Sequence, residues 1–151
     1  MQALPHRYRV KGTGRITGDV ELTAERLTML RSASPAEFGG PGDRWSPETF
    51  LVGAVADCFI LTFRAVANAS RLSWISLECD VTGTLDRIDR VTQFTHFDMA
   101  ARLVVPAGVD HEAARHALEK AERNCLISSS LKAAVALDTR VEIAAELRVP
   151  A

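Results

Sequence analysis

The segment from Ser46 to Ser70 most constrains the fold, because it joins a strong helix start to a nearly continuous apolar run. Ser46 is a favourable N-cap residue and Pro47 suits the first helical position. The carboxylate of Glu48 complements the positive end of the helix dipole. The residues that follow predict one long helix that ends at about Ser70.

This predicted helix is apolar on nearly all of its sides, at Phe50, Leu51, Val52, Ala54, Val55, Ala56, Phe59, Ile60, Leu61, Phe63, Val66 and Ala67. Such a helix must be covered on nearly all sides, and one small sheet covers only one face. The sequence therefore favours a second layer, contributed by another subunit. Asp57 and Arg64 interrupt the run, so neither free part reaches the ~20 residues of a membrane span.

The composition predicts one globular domain over residues 1–151, with 47% apolar and 25% charged residues. Eighteen Lys and Arg against nineteen Asp and Glu give a net charge of −1, which argues against broad capture of nucleic acid. For the basic residues Arg7, Arg9 and Lys11, a solvated strand face is favoured over an anion-binding edge. The N-terminus has no apolar signal core, and a cytoplasmic protein is expected.

Hydrophobic alternation predicts short strands around residues 7–11, 19–22 and 27–29. The segment from Ser32 to Ser46 is rich in glycine and proline and predicts one long surface loop. After the apolar helix, residues 75–105 alternate as a long hairpin.

Within this hairpin the turn is expected near Asp86 to Asp89, and the return strand places Phe97 to Val105 on its apolar face. Asp110 is the expected cap of a second helix that reaches about Asn124, with its inner side formed by Ala113, Ala117, Leu118 and Ala121. Residues 125–135 predict a further helical turn or two, and residues 141–149 predict a last strand. The order βββ-α-ββ-α(α)-β implies an α+β fold with an antiparallel sheet and helices on one face.

Three cysteines, an odd and small number, argue against a secreted disulfide scaffold and for an intracellular chain. Cys79 lies on the apolar side of a strand and is expected to pack in the core. Cys58 lies in the middle of the apolar helix, where a thiol is inert unless a cation approaches it. Cys125 follows the second helix among small polar residues. If the fold brings Cys58 and Cys125 together, they form a redox pair that passes through a sulfenic acid to a disulfide.

The residues around these two cysteines carry a family resemblance. The string WSPETFLVGAVADCF strongly resembles the helix motif of the osmotically inducible protein C and organic hydroperoxide resistance (OsmC/Ohr) family, and AERNCLISSSL resembles its second-cysteine motif. GTGRITGDVEL and SPAEFGGPG fit upstream in the same order, so the resemblance extends over nearly the whole chain. It implies an OsmC-like α+β fold with antiparallel sheets packed on central helices, in an intertwined homodimer.

The resemblance also implies a thiol-dependent peroxidase that reduces organic hydroperoxides to alcohols. By position, Cys58 matches the peroxidatic cysteine and Cys125 the resolving cysteine, whose disulfide an external dithiol reduces. Arg15 matches the arginine that faces the reactive thiol, and Glu48 matches the glutamate that pairs with it. Glu48 lies about 15 Å from Cys58 along the helix, so it is expected to act by holding the arginine. Arg44 is the alternative arginine.

The chain departs from the family pattern at two positions. Leu126 follows the second cysteine where the family often has proline, which implies a more mobile segment or a divergent branch. Asp57 precedes Cys58 where the family has a small residue, and successive helical positions point about 100° apart, so Asp57 is expected to face away.

No metal or other cofactor is expected, because the four histidines form no i, i+4 pair and neither a Cys-x-x-Cys motif nor a nucleotide-binding loop occurs. Phe38, Trp45 and Phe59 are expected to bind the apolar part of the substrate. For Phe38 and Trp45, a role in fixing the loop to the core is an equal alternative. Two other functions stay open on the same scaffold, namely binding or acyl transfer of a hydrophobic ligand and a redox sensor without turnover.

Overall fold

The computed structural model describes residues 3–144, and the chain divides into two compact units whose boundary falls between Leu51 and Val52. The fold is α+β, as the sequence predicted, with one three-stranded sheet in each unit and two α-helices. The boundary lies within the first helix. The expected single domain stays a prediction for the chain as a whole.

The first unit contains three short antiparallel strands, β1 (Lys11–Thr13), β2 (Val20–Thr23) and β3 (Leu30–Ser32), in the order β1-β2-β3. β1 and β3 lie a few residues later than the alternation predicted. Leu27 belongs to a turn instead, in which its backbone N–H donates to the carbonyl of Ala24. Arg26, inside this turn, has a positive φ of 62°, which a strand cannot contain.

The predicted long loop after β3 is present, and its two ends are joined. Ser32 and Trp45 form a parallel bridge, and the N–H of Ala33 donates to the carbonyl of Trp45 at 3.0 Å. A 3-10 turn at Ala36–Phe38 fills part of the loop. Gly40 permits the close return of the chain, since a Cβ there would lie 1.6 Å from the carbonyl oxygen of Ser34. The two ends of the loop therefore lie side by side, and the first helix begins directly after the second end.

Helix α1 spans Pro47–Ser70, as predicted, and its N-terminus is fixed by two local devices. The N–H of Thr49 donates to the Ser46 hydroxyl at 3.2 Å, and the N–H of Ser46 donates to the Thr49 hydroxyl at 2.8 Å, which is a reciprocal capping box. Trp45 stacks on Phe50 with ring centroids 5.6 Å apart, which is the hydrophobic staple of that motif. These contacts confirm Ser46 as the N-cap.

The C-terminus of α1 ends in a left-handed residue, Arg71, with φ of 55°. The N–H of Leu72 donates to the carbonyl of Ala67, and the N–H of Arg71 donates to that of Asn68. This is the Schellman arrangement, which satisfies two carbonyls at the end of a helix.

One stripe of α1 is buried, formed at intervals of four residues by Val55, Phe59, Phe63 and Ala67. The rest of its apolar surface is half-buried or exposed, and Leu61 is 50% exposed. Within residues 3–144, α1 is the one helix long and apolar enough to cross a membrane. That is weak evidence for a span, because the core helix of a soluble protein passes the same test.

The second unit contains β4 (Ser76–Ile88), β5 (Val91–Val105) and β6 (Ala134–Ile143) in the order β4-β5-β6. β4 and β5 form the predicted hairpin. Its turn is Asp89–Arg90, slightly later than expected, and both residues have positive φ, of 49° and 67°. This geometry matches the tight primed turns that suit the twist of paired strands.

β6 pairs with β5 in parallel, so the expectation of a purely antiparallel sheet is wrong for this pair. Helix α2 (His111–Arg123) connects the two strands, and a helical crossover brings the next strand back in the same direction. β6 begins at Ala134, inside the segment expected to be helical; that segment supplies a 3-10 turn at Ser128–Ser130. The later part of the expected last strand, Ala145 to Val149, lies outside the described residues.

Helix α2 is capped as predicted, with the N–H of Glu112 donating to the side chain of Asp110 at 2.9 Å. Its buried residues are Ala114, Ala117, Leu118 and Ala121. Ala114 takes the place expected for Ala113, which is exposed, because positions 114, 117, 118 and 121 follow the i, i+3, i+4, i+7 spacing of a single helix face. The core of this unit also includes Phe97, Met99, Leu103 and Val105, on the predicted apolar face of β5.

Candidate functional site

Cys58 is a half-buried thiol on α1. Its Sγ lies 3.9 Å from the hydroxyl oxygen of Thr62, one helical turn later on the same face. Asp57, the preceding residue, is exposed and thus does not share the half-buried setting of the thiol. The departure from the family pattern at Asp57 therefore puts a carboxylate in solvent.

Cys125 is fully buried, at 0% exposure, just after the end of α2. Its backbone is held on both sides: its N–H donates to the carbonyl of Glu122 at 3.0 Å, and its carbonyl accepts from the N–H and the hydroxyl of Ser129 at 3.0 and 2.9 Å. The segment that follows α2 is thus a hydrogen-bonded turn around this thiol. Leu126, where the family often has proline, is 66% exposed.

The fold of the second unit brings Cys58 and Cys125 together, although they are far apart in sequence. Both thiols are free, and they lie near enough for Cys58 to influence the pKa of Cys125. Burial raises the pKa of the Cys125 thiol, the nearby polar groups of Ser128 lower it, and Cys58 raises it. Two neighbouring thiols, one half-buried and one buried, are the chemical groups that a redox pair needs.

Cys79 is a third thiol near this pair. It lies half-buried on β4 opposite Ala101. Burial, followed by the charges of Asp80 and Cys125, raises the pKa of the Cys79 thiol to about 12. A thiol with this pKa is protonated at neutral pH and is a weak nucleophile. Cys79 therefore has the surroundings of a packing residue, as the sequence predicted.

Arg44 of the first unit is paired with aspartates. Its Nε lies 3.2 Å from Oδ2 of Asp19, and its Nη1 lies 2.9 Å from Oδ2 of Asp43. The hydrogen bond to Asp19, with the charges of Asp43 and Asp19, raises the pKa of the guanidinium. Arg44 is thus engaged on the loop that carries it.

Glu48 and Arg15 form no ion pair with each other in the part of the chain that the structure describes. Glu48 is half-buried, and its Oε2 is buried without a hydrogen-bond partner among residues 3–144. Arg15 is exposed. A buried carboxylate oxygen without a donor is costly, so Glu48 is suited to receive a cation. Its pairing with Arg15 stays a prediction.

The three aromatic residues expected at the substrate differ in exposure. Phe38 and Trp45 are each 57% exposed, and Trp45 stacks on Phe50 of the helix start. This contact gives Trp45 the role of a staple and still leaves much of its ring in solvent. Phe59 is fully buried and packs in the core, so the structure gives it a structural position. Contact of Phe59 with substrate stays a prediction.

The sequence did not single out two residues with hydroxyl groups near the thiols, Thr62 near Cys58 and Ser128 near Cys125. Thr62 lies four residues after Cys58, and Ser128 lies three residues after Cys125, which are spacings that place side chains on one face of a helical turn. Among residues 3–144, no group of three His, Cys, Asp or Glu side chains is arranged to hold a metal ion.

Comparison with known proteins identifies the family that this chain resembles. The sequence profile of the family described as OsmC-like protein matches residues 40–140. The "Uncharacterized protein YmaD" of Bacillus subtilis is 30% identical over 80% of this chain and 83% of its own length. The "Peroxiredoxin OsmC" of Escherichia coli is 25% identical over 64% of this chain and 67% of its own.

A solved structure from Legionella pneumophila, described as an organic hydroperoxide resistance protein OsmC, has a TM-score of 0.70 and 26% identity. The match covers 93% of this chain and 98% of that one. The α+β fold described above is therefore similar to the fold of that protein.

Proposed function

The chain belongs to the family of OsmC-like proteins, and on that premise we propose that it is a thiol-dependent peroxidase that reduces organic hydroperoxides to alcohols. The observation that carries the proposal is the proximity of Cys58 and Cys125 within one compact unit, near enough for one thiol to influence the pKa of the other. The name of the Legionella structure, which includes organic hydroperoxide resistance, supports the substrate class.

In the first step, the Cys58 thiolate attacks the outer oxygen of the hydroperoxide. The O–O bond breaks, the sulfur becomes a sulfenic acid, and the alkoxide takes a proton and leaves as the alcohol. The hydroxyl of Thr62, 3.9 Å from Sγ, is a polar neighbour for this sulfur. The half-buried position of Cys58 gives a peroxide access to it.

In the second step, the sulfur of Cys125 attacks the sulfenic sulfur of Cys58, and the oxygen leaves as water with the proton of the second thiol. An external dithiol then reduces the disulfide and is itself oxidised. Cys58 influences the pKa of Cys125 and not that of Cys79, and this proximity favours Cys125 as the partner.

Arg15 is proposed to approach Cys58 and to favour its thiolate, with Glu48 holding the guanidinium in position. Two observations support this arrangement: Oε2 of Glu48 is buried without a partner, and Arg44, the alternative arginine, is already paired with Asp19 and Asp43. A guanidinium also offers several donors to a peroxide oxygen.

The protein is proposed to act as an intertwined homodimer in the cytoplasm, with the second copy covering the apolar surface of α1. The half-exposed Leu61, together with the half-exposed rings of Phe38 and Trp45, supports a need for such cover. In the proposed enzyme, Phe38, Trp45 and Phe59 contact the apolar part of the hydroperoxide.

Turnover with a dithiol tests the proposed function. We expect the reduced protein to consume cumene hydroperoxide continuously in the presence of dithiothreitol or dihydrolipoamide, and to lose this activity in Cys58→Ser. Consumption that survives in Cys58→Ser would contradict the mechanism. A single oxidation event without turnover by either dithiol would favour a redox sensor instead.

A further inference from the structure

Two hydroxyl side chains of α1 differ in what they bond. The hydroxyl of Ser70, at the C-terminus of the helix, donates to the carbonyl of Val66 at 2.9 Å, four residues earlier. This is a common arrangement for a serine or threonine inside a helix. In the described part of the chain the Thr62 hydroxyl has a different partner, the sulfur of Cys58 at 3.9 Å. Thr62 is therefore directed at a side chain and not at the helix backbone.

The helix itself places this hydroxyl beside the sulfur of the proposed reactive cysteine. Thr62 lies four residues after Cys58, so the two side chains share one face of α1, one helical turn apart. Both residues are half-buried. Threonine is branched at Cβ, which leaves its side chain few rotamers in a helix. The contact thus needs no contribution from any other element.

The direction of this hydrogen bond depends on the ionisation of Cys58. In the neutral thiol either group can be the donor. A thiolate has no proton, so the Thr62 hydroxyl has to donate to it. A hydrogen bond to a charged group is stronger than one between neutral groups, and the contact therefore favours the thiolate over the thiol.

We propose that Thr62 is a further catalytic residue, whose hydroxyl donates to the Cys58 thiolate and stabilises that sulfur in its reactive form. This inference rests on the proposed function, in which Cys58 attacks the peroxide. The hydroxyl keeps its proton throughout, so the attacking electron pair is still that of the sulfur. A distance of 3.9 Å is near the upper limit for a hydrogen bond to sulfur, so we expect a moderate effect, about threefold to tenfold.

Other titratable groups lie around this contact. Cys125, after α2, lies near enough for Cys58 to influence its pKa, and Cys79 of β4 lies near Cys125. On α1 itself, Asp57 and Arg64 are exposed. A test of the contact therefore removes the two other thiols and leaves both charged side chains in place.

The first experiment measures the reactivity of Cys58 without peroxide. In a Cys79→Ala, Cys125→Ser background Cys58 is the one remaining thiol, and its rate of alkylation by iodoacetamide follows the thiolate fraction. Thr62→Val, which keeps the shape and loses the hydroxyl, is expected to move the midpoint of the pH–rate profile upward by about half to one pH unit. Thr62→Ser, which keeps a hydroxyl, is expected to restore most of the parent profile.

Thr95→Val is the matched control. The hydroxyl of Thr95 donates to the carbonyl of Thr84 at 3.2 Å in the β4–β5 hairpin, so this variant loses a hydroxyl that bonds the backbone and not a sulfur. We expect it to keep the parent profile. Arg15 and Glu48 are present in every variant, so any contribution from them is the same throughout.

The second experiment measures the reaction with peroxide in the otherwise unaltered chain. At pH values below the parent midpoint, Thr62→Val is expected to lower kcat/KM for cumene hydroperoxide about threefold to tenfold. The loss is expected to shrink as the pH rises, because Cys58 then ionises without help from the hydroxyl. A merely structural defect would lower the activity at every pH.

Three outcomes overturn the proposal. They are equal alkylation profiles in Thr62→Val and the parent, an equal loss of activity at every pH, and a Thr62→Ser variant that behaves like Thr62→Val. The proposed function fails separately. A shifted alkylation profile in a chain that consumes no cumene hydroperoxide would support the contact of Thr62 with the thiolate and contradict the peroxidase.

Discussion

The two compact units differ in what they bury. All of the buried apolar side chains of residues 3–144 lie in the second unit, from Val55 to Cys125, whereas the buried residues of the first unit are the polar Ser32 and Ser46. Tyr8 in the first unit is 91% exposed, and Phe38 and Trp45 are more than half exposed. A small sheet without its own apolar core is not expected to be stable alone.

The groups of the proposed mechanism are divided between these two units. The second unit contains both thiols of the redox pair in a packed setting, and the first contains the arginine, the glutamate and the exposed aromatic rings assigned to activation and substrate. A packed core fixes the geometry of the sulfurs. The proposed homodimer is expected to change the burial of the first unit and of the exposed side of α1.

The largest expected effect compares two phenylalanines, one from each unit. Phe63 is fully buried and packs edge-on against Trp74 with ring centroids 5.3 Å apart, whereas Phe38 is largely exposed. Phe63→Ala is expected to lower the free energy of unfolding by about 3–5 kcal/mol. Phe38→Ala is expected to change it by less than about 0.5 kcal/mol, as surface substitutions do. Urea denaturation followed by circular dichroism measures both, and equal losses would contradict the comparison.

The next effect concerns the two arginines of the first unit. Arg15→Ala is expected to lower kcat/KM for cumene hydroperoxide by about a hundredfold, the scale of losing one positioned donor in a reaction. Arg44→Ala, which removes an arginine already paired with Asp19, is the matched control and is expected to retain activity. The reverse order of effects would assign the role to Arg44.

A smaller effect is expected at the start of α1, which spans the boundary between the units. Ser46→Ala removes the hydroxyl that accepts from the N–H of Thr49 and is expected to cost about 1 kcal/mol of stability. Ser70→Ala, at the other end of the helix, removes a hydroxyl that donates to the carbonyl of Val66 and serves as the control. Thermal unfolding of both variants measures the difference, and an equal shift in Tm would show that the cap adds nothing.

The smallest effect is a pH dependence of thiol reactivity at Cys79. Burial raises its pKa to about 12, so its thiolate fraction stays low until the pH approaches that value. We expect iodoacetamide to modify Cys58 at pH 8 while Cys79 stays unmodified, and the Cys79 rate to rise about tenfold for each pH unit below its pKa. Peptide mapping at several pH values measures both rates. Fast modification of Cys79 at pH 8 would contradict its packing role.

Local signals predicted much of this fold. The sequence predicted the N-cap and the extent of α1 and the cap of α2. The capping side chains form hydrogen bonds with backbone groups only two or three residues away, so the signal is local. The alternation from Phe97 to Val105 also gave the buried face of β5 correctly. The parallel pairing of β6 was not predicted, because strand direction depends on where the crossover helix packs and not on the alternation of the strand itself.

At the candidate site, the sequence predicted a pair of cysteines whose roles stay predictions. Motifs indicate the two cysteines, and their proximity depends on how α1 and the turn after α2 pack, which no local pattern reports. The sequence does not single out Ser128, because one serine in a run of three has no distinguishing local signal.

The central claim is that peroxide oxidises Cys58 and that Cys125 resolves it. The most direct measurement adds one equivalent of cumene hydroperoxide to the reduced protein and to Cys125→Ser, each with dimedone present, and maps the products by mass spectrometry. The account predicts a Cys58–Cys125 disulfide in the unaltered chain and a dimedone adduct on Cys58 in the variant. A disulfide that contains Cys79, or a variant without an adduct on Cys58, would contradict it.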